Sequence, residues 1–386
     1  MKQLFLSHYN RHAGEVGVLA RELRFRGLRP WVDKQGGFLI ADESASAAET
    51  AICEDCLGFL LYATEDVFDR QFIKEHEVPP ALRMKGLDET YLLFAVPRGI
   101  DFRYLQERSE AAYGVDLSQF HTRPVTGDIG ALASAFALIG ADICGKILQT
   151  SKLGPDGAVS IQFSTRELAP AASNDVFTFD GTEAYVDPVH GAVFDAFIAG
   201  LRDSKRALAA RFGRPRLRVH GFKHLSAAFL FGRVFQPFEI AVRQTPGEYW
   251  SLDGKADAAP ILKTESVEAE AASNLVVQIS SRFKDLSPAV DKAMTGIPFN
   301  RLVLRPIEPP LDVNEALCAV MIRDCYNAIE NEICTRPVGR IHLFSAAPQA
   351  VMMGLGRRFA GMPEALVYDF DGIKYTPPKT IPGGVL

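Results

Sequence analysis

Long apolar runs, an excess of basic charge and paired metal ligands are all missing from these 386 residues. The longest apolar helix candidate, around Ala131 to Leu148, is interrupted by Asp142 and Lys146, so no span reaches the roughly 20 apolar residues a bilayer core requires. The start, MKQLFLSHYNRHAG, has one Lys and only the short apolar stretch Leu4 to Leu6 before turning polar. That is not the pattern of a signal peptide, and the expectation is a cytoplasmic protein. Lys and Arg number 42 against 47 Asp and Glu, a net charge of −5. Broad binding to nucleic acid polymers rests on a basic face and is disfavoured; a small phosphate ligand held by a few cations and backbone amides is not. Cysteines are few, at 53, 56, 144, 318, 325 and 334. Cys53-x-x-Cys56 has no second Cys or His pair at zinc spacing and adjoins the apolar run Leu57 to Tyr62, so buried thiols are expected and no metal is implied.

What is present is alternation. Over the first 125 or so residues strand and helix signals alternate, as in an α/β parallel sheet with crossover helices. Strands are expected at Gln3 to Ser7, Leu28 to Val32, Leu57 to Tyr62 and Tyr91 to Val96. Val16, Leu19, Ala20 and Leu23 recur at helical spacing, with Gly27 closing that helix. Lys34 to Ser46 reads as a long mobile loop at the carboxyl end of a strand, where ligands bind in open α/β sheets. Val67 to Leu82 is expected to be helical until Pro79-Pro80, His121 to Asp128 is a connector, and Ile129 to Leu148 a joining helix.

Beyond Ser151 the chain repeats itself. RLRVHGFKHLSAAFLFGRVF, from Arg216, and RIHLFSAAPQAVMMGLGRRF, from Arg340, share a strand, loop and helix pattern, with Arg340 lying 124 positions after Arg216. Gly232-Arg233 and Gly356-Arg357 fall in phase, as do Phe235 and Phe359. Upstream, VSIQFSTR from Val159 and VVQISSR from Val276 align at a shift of 116, which puts Ser164 on Ser280 and Arg166 on Arg282. A half-domain is duplicated. Phe194, Phe197, Ile198 and Leu201 give the long helix of the first copy its buried face; in the second, Asp312 with Glu315 forms a capping box. Neither Gly232 nor Gly356 belongs to GxGxxG or GxxxxGK, and both sit deep in a helix, where close packing is their expected role.

Strands that end in hydroxyl residues and Arg place donors at the edge of a sheet, and two such edges would make one shared pocket. Helix N-terminal amides beside His220 to Lys223 and Phe344 to Ala346 suit phosphate oxygens. In the first region, ATEDVFDRQFIKEHEVPPAL puts Ile73 and Glu77 four apart, with Phe72 beside them. A carboxylate flanked by apolar groups suits sugar chemistry, holding ribose hydroxyls and stabilising positive charge at an anomeric carbon. A solvated helix charge next to Lys74 is the competing explanation.

FLSHYNRHAG, GLRPWVDKQGGF and VFDRQFIKEHEVPPAL, in that order and spacing, resemble a bacterial TIR domain, with its flavodoxin-like parallel sheet, over residues 1–125. In TIR domains that consume NAD+ a Glu on the helix after the third strand is essential. The resemblance assigns that catalytic place to Glu77, with Glu75 as the fallback, because many relatives carry Trp or Tyr where Phe72 stands and often one residue fewer before the Glu. Tyr9, Asn10, Asp33, Lys34 and Phe72 match positions lining the nucleotide cleft.

After a connector helix at 126–150, residues 151–386 resemble a SAVED domain, a fused pair of CARF-like Rossmannoid halves (about 151–260 and 270–386) that senses cyclic oligonucleotides in bacterial antiphage systems. LSAAFLFGRVF, IHLFSAAPQAVMMGLGRRF and IKYTPP carry that similarity. TIR joined to SAVED implies a CBASS effector: an NAD+ hydrolase, without metal or covalent cofactor, switched on by a cyclic tri- or tetranucleotide, with cyclic tri-adenylate foremost. It also implies head-to-tail assembly into filaments, the loop of one TIR completing the site of its neighbour. Ser164, Arg166, Lys223, Ser280, Arg282, Phe344 and Ser345 are the expected ligand contacts, with Lys374 and Tyr375 as a closing edge. A TIR cyclase forming cyclic ADP-ribose and a non-catalytic TIR adaptor stay open as alternatives.

Overall fold

The computed structural model describes residues 3–32, 41–166, 175–186, 191–245, 248–269, 272–281, 285–308, 311–384 and 386, with the side chains of 41–44 and 245 outside that description. These form two compact units. One comprises Met1–Lys152, Ala171–Asp180 and Arg206–Arg211; the other comprises Leu153–Pro170, Gly181–Lys205 and Phe212–Leu386.

In the first unit the chain runs β1 (Gln3–Ser7), α1 (Ala13–Phe25), β2 (Pro30–Trp31), α2 (Ala41–Thr50), β3 (Cys56–Ala63), α3 (Val78–Leu87), β4 (Leu92–Pro97), α4 (Phe102–Tyr113), β5 (His121–Thr122) and α5 (Ile129–Thr150). All five strands are parallel in the order β2-β1-β3-β4-β5. This is the doubly wound 2-1-3-4-5 order, whose switch point lies between β1 and β3. Strands β3 and β4 are apolar on both faces, as a sheet covered on both sides requires. Arg26 caps α1 and Gly27 follows at φ +75°, the left-handed position that a side chain would resist.

Several expectations need correction here. The stretch from Ala41 to Ser46 is not loop but the first turns of α2: ADESASAAET is rich in Ala and Glu, which favour helix. The preceding part of that loop lies outside the described residues. His121-Thr122 is a fifth strand rather than connector, too short and half exposed to leave a periodic signal. The Pro pair does not stop a helix either; Pro79 and Pro80 occupy the first turn of α3, which runs on to Leu87. Helix α5 is long and apolar enough, by length and composition, to cross a membrane. It is a core helix of this unit, with Leu132, Phe136, Ile139, Ile143 and Ile147 buried and Gly140 admitting the Arg26 side chain.

Along the rest of the chain follow β6 (Ala158–Ser164), β7 (Asp175–Asp180), α6 (Thr182–Val186), α7 (Gly191–Phe212), β8 (Arg216–His220), α8 (Leu225–Val234), β9 (Ile240–Thr245), β10 (Glu248–Ser251), β11 (Leu262–Val267), β12 (Asn274–Ser280), α9 (Ser287–Ala293), β13 (Phe299–Pro306), α10 (Glu315–Thr335), β14 (Arg340–Ala346), α11 (Gln349–Arg358), β15 (Glu364–Tyr368) and β16 (Lys379–Ile381). Strands β6, β8 and β9 are parallel neighbours, as are β13, β12, β14 and β15.

The duplication survives at the level of register. In one half Ala158 faces Arg216 and Gln162 faces His220; in the other Asn274 faces Arg340 and Gln278 faces Phe344. The same shifts of 116 and 124 carry one pair of strands onto the other. Helices α8 and α11 pack against each other through the repeat glycines. A Cβ on Gly232 would lie 1.9 Å from the Met353 carbonyl oxygen, and one on Gly356 would lie 2.1 Å from that of Phe229. The arginine beside each glycine reaches across: Arg233 donates to the Phe359 oxygen at 2.5 Å and Arg357 to the Gln236 oxygen at 3.4 Å. The capping box at Asp312 and Glu315 is not formed. Asn314 caps α10, accepting from the Leu317 amide at 3.0 Å, while Glu315 accepts from the Ser251 amide.

Candidate functional site

At the switch point of the first unit a cleft of about 220 Å³ opens beside the carboxyl ends of β1 and β2 and the segment after β3. Its floor is aromatic: Phe5 stacks on Trp31 with centroids 4.5 Å apart and on Phe59 at 5.6 Å. As β1 ends, Ser7 turns its hydroxyl to Glu77 and donates to Oε2 at 2.5 Å. Glu77 is 9% exposed and its carboxylate lines the cleft. Tyr9 and Asn10 lie on the same wall, and the Arg70 guanidinium sits 3.7 Å above the Tyr9 ring. Burial pushes the Tyr113 phenol well up, and the charge of Glu77 pushes it the same way.

The backbone around Glu77 explains the additional residue in its spacing. In an α-helix, residues five apart diverge by roughly 140°, so Phe72 and Glu77 would face different ways. Ile73–Glu77 instead winds as a π-helix, with the Val78 amide bonded to the Ile73 oxygen. That i→i+5 turn returns Glu77 to the side of Phe72, and both line the cleft with Ile73. Pro79 and Pro80 account for the widening: neither has an N–H for the carbonyls of Glu75 and His76, and their rings would clash with those oxygens in an α turn. Glu75 points elsewhere; it is exposed and accepts from Gln71 Nε2 at 3.1 Å. Asp33 and Lys34 lie outside the described residues.

The second unit places the paired strand ends as the repeat requires. The Thr165 amide donates to the Phe222 oxygen at 2.9 Å, and its counterpart Ser281 donates to the Ala346 oxygen through its amide at 3.5 Å and its hydroxyl at 3.1 Å. Gly221, at φ +105°, lies against the Phe163 carbonyl and Ser164 Oγ, where a Cβ would come within 2.6 and 2.7 Å. Ser164 and Ser280 are buried, and Ser164 Oγ has no hydrogen-bond partner among the described residues. Lys223 is also buried. Its ammonium group donates to the Gly221 oxygen at 2.8 Å and to Gln349 Oε1 at 3.4 Å, while Gln349 Nε2 donates to the Lys223 oxygen at 2.6 Å. Burial lowers that amine to about 7.

Other expected contacts separate. Arg166 is exposed at the end of its strand, whereas Arg282 lies outside the described residues. Phe344 is a core residue rather than a lining one: it is fully buried and stacks on Tyr368 at 4.0 Å, because its strand is central in the sheet. Its outer contact is Tyr375, edge-on at 4.8 Å. Ser345 Oγ accepts from the Ala347 amide, and the Lys374 amide donates to Asp371 in an exposed turn. The α8 N-terminus is not vacant either. Asp369 accepts from the Ser226 amide at 3.1 Å and from its hydroxyl, an internal carboxylate at the positive end of the helix.

Sequence reasoning missed Thr165, Tyr185, His224, Gln349 and Lys379. Thr165 Oγ1 meets His224 Nδ1 at 3.0 Å, Tyr185 stacks on the His224 ring at 4.6 Å, and Lys379 Nζ lies 5.0 Å above Tyr185. Burial lowers the His224 imidazole and raises the Tyr185 phenol. Thr165 has Ser281 as its counterpart, but His224 falls on Pro348 and Gln349 on Leu225, so alignment of the two copies passes over the rest. Adjacency of His224 to Lys223 was the available signal.

Residues 200–381 match the model of the SAVED family, described as an SMODS-associated sensor domain fused to various effectors. No curated protein matches the chain. Among solved structures the chain is similar to the Acinetobacter baumannii Cap4 SAVED/CARF-domain containing receptor with the cyclic trinucleotide 2'3'3'-cAAA, at 15% identity and a TM-score of 0.49, covering 78% of this chain and 83% of that one. The same receptor with 3'3'3'-cAAA gives 14% and 0.49, covering 95% and 97%. The Moraxella osloensis Cap4 receptor gives 13% and 0.46, covering 96% and 98%.

Proposed function

We propose that the chain is a TIR-SAVED effector that cleaves NAD+ at the nicotinamide-ribose bond once its sensor domain binds a cyclic oligonucleotide, a cyclic trinucleotide such as cAAA being the first to try. The observation that carries this is Glu77: a carboxylate held by Ser7 beside an aromatic floor, in a cleft at the switch point of a parallel sheet. Such a group, largely out of water, accepts the ribose hydroxyls and stabilises oxocarbenium character at C1′. The C1′–N1 bond breaks with its electron pair passing to nicotinamide, which leaves as a neutral base. Water then bonds to C1′ and releases a proton, giving ADP-ribose. Phe72 and the floor receive the nicotinamide ring. The match over 200–381 supports the sensing half, and the paired strand ends with Lys223 supply its phosphate contacts. Ligand binding would drive head-to-tail self-association on the cytoplasmic NAD+ pool, keeping the unliganded protein silent.

The test is to incubate the full chain with a panel of cyclic oligonucleotides while following NAD+ and nicotinamide. One ligand should trigger nicotinamide release, and Glu77→Gln should abolish it without altering ligand affinity. Retained release in Glu77→Gln removes the catalytic assignment; ligand binding with no loss of NAD+ makes the first unit an adaptor. Chromatography of the product separates linear from cyclic ADP-ribose.

A further inference from the structure

We infer that Arg70 holds the diphosphate of the dinucleotide in the Glu77 cleft and sets the preference for NAD+ over its phosphate-free nucleoside. This rests on the proposed cleavage of NAD+ in that cleft. Arg70 is exposed at the mouth, in the turn between Glu65–Asp69 and the π segment, with its guanidinium laid over the face of Tyr9. Arg11 pairs with Asp66, Arg108 with Asp69 and Arg98 with Glu15, and Lys74, four residues on, does not line the cleft. Among the described residues Arg70 makes no ion pair and is the one guanidinium or ammonium that lines the cleft.

A ribose and a nicotinamide ring need Glu77 and the aromatic floor but no permanent cation. A diphosphate does. The planar guanidinium matches two phosphate oxygens with parallel N–H donors, and stacking on Tyr9 limits the rotamer freedom that binding would otherwise remove. With Glu77 and Arg70 on one cleft, a single substrate meets a carboxylate at its reacting ribose and a cation at its phosphates.

The activated wild type and Arg70→Ala are compared on NAD+ and on nicotinamide riboside, which has the same glycosidic bond without phosphate, and ADP-ribose is titrated calorimetrically into both proteins. The variant should raise KM for NAD+ and Kd for ADP-ribose about tenfold or more, with a much smaller change in kcat and less than a twofold change in KM for the riboside. Arg70→Lys should recover only part of the loss, because an ammonium lacks the fork. Equal shifts for both substrates, or an unchanged ADP-ribose affinity, overturn the inference. If the wild type releases no nicotinamide from either substrate, the cleavage proposal fails by itself, and the calorimetric arm still decides Arg70.

Discussion

Ser7 and Glu77, 70 positions apart, share a hydrogen bond of 2.5 Å in which the hydroxyl donates to Oε2. Ser7 is 1% exposed, so this donor is not interchangeable with water. It fixes one carboxylate oxygen of a residue that lines the cleft. A hydrogen bond to a charged group is worth about 1.5–3 kcal/mol, and each 1.4 kcal/mol off the transition state is about tenfold in rate. Ser7→Ala should therefore lower kcat for nicotinamide release about 10- to 100-fold while KM changes little. Glu77→Gln keeps the shape and should lose at least about 1,000-fold. Steady-state kinetics with saturating activator measure both, and an unchanged kcat in Ser7→Ala would mean the contact does not position the carboxylate.

The repeat glycines make a prediction about stability. With the Met353 and Phe229 carbonyl oxygens inside 2.2 Å of a new Cβ, Gly232→Ala or Gly356→Ala must push α8 and α11 apart. Overpacking of this kind costs about 1–3 kcal/mol, occasionally more. Gly17 is the control: it is helical, exposed and has nothing within 4 Å of a Cβ, so Gly17→Ala should be neutral or stabilising by up to about 1 kcal/mol. Urea melts of the three variants rank them, and equal stability of Gly232→Ala and the wild type would show that the helices have room to separate.

The two offsets, 116 and 124, were legible in the sequence and reappear as strand register, because a duplicated strand pair must keep its pattern of side-chain alternation to bury the same face. Glu77 was singled out by the resemblance to TIR domains, since its spacing alone favoured a solvated helix charge, and the structure buries it beside the cleft. The turn that aims it was not legible: a π segment comes from backbone donors missing at Pro79 and Pro80, which hydrophobic periodicity does not register. Phe344 went astray for a related reason. A residue near the end of a central strand reads as an edge until the lateral neighbours, β12 and β15, are known. His224, Tyr185 and Lys379 meet only in three dimensions, from segments with no shared motif.

With Lys223 as a phosphate contact, as proposed, ligand binding would be tied to protons. Burial lowers the folded-state Lys223 amine to about 7 from 10.5. Between these values the unfolded chain holds the proton and the folded chain does not, so stability rises with pH across this window; the contribution is complete above 10.5 and lost as pH falls through about 7. A phosphate brought beside the amine favours the charged form, so activator binding at pH 8 should take up close to one proton per site. Calorimetry in Tris and in HEPES reads this as a buffer-dependent enthalpy. In Lys223→Met the dependence should vanish and affinity fall about tenfold or more, within the range for losing a charged contact. An enthalpy independent of buffer in the wild type would place Lys223 outside the phosphate site.

The Pro79-Pro80 pair offers a way to move the carboxylate without removing it. Replacing both with Ala restores two backbone donors and removes the ring clash that keeps Ile73–Glu77 in a π turn. An α-helix then competes, with better propensity by roughly 3 kcal/mol per interior proline replaced, and less at the first turn. Rewinding from five to four residues per hydrogen-bonded turn swings Glu77 away from Phe72 and out of line with Ser7. The double variant should melt at or above the wild-type temperature and still bind the activator, yet release nicotinamide at least tenfold more slowly. Removing one residue between Phe72 and Glu77 in the same background should restore part of the rate, because an α turn then suffices to align them. If the double variant keeps full activity, the π turn is held by the packing of Phe72 and Ile73, and the prolines merely occupy it.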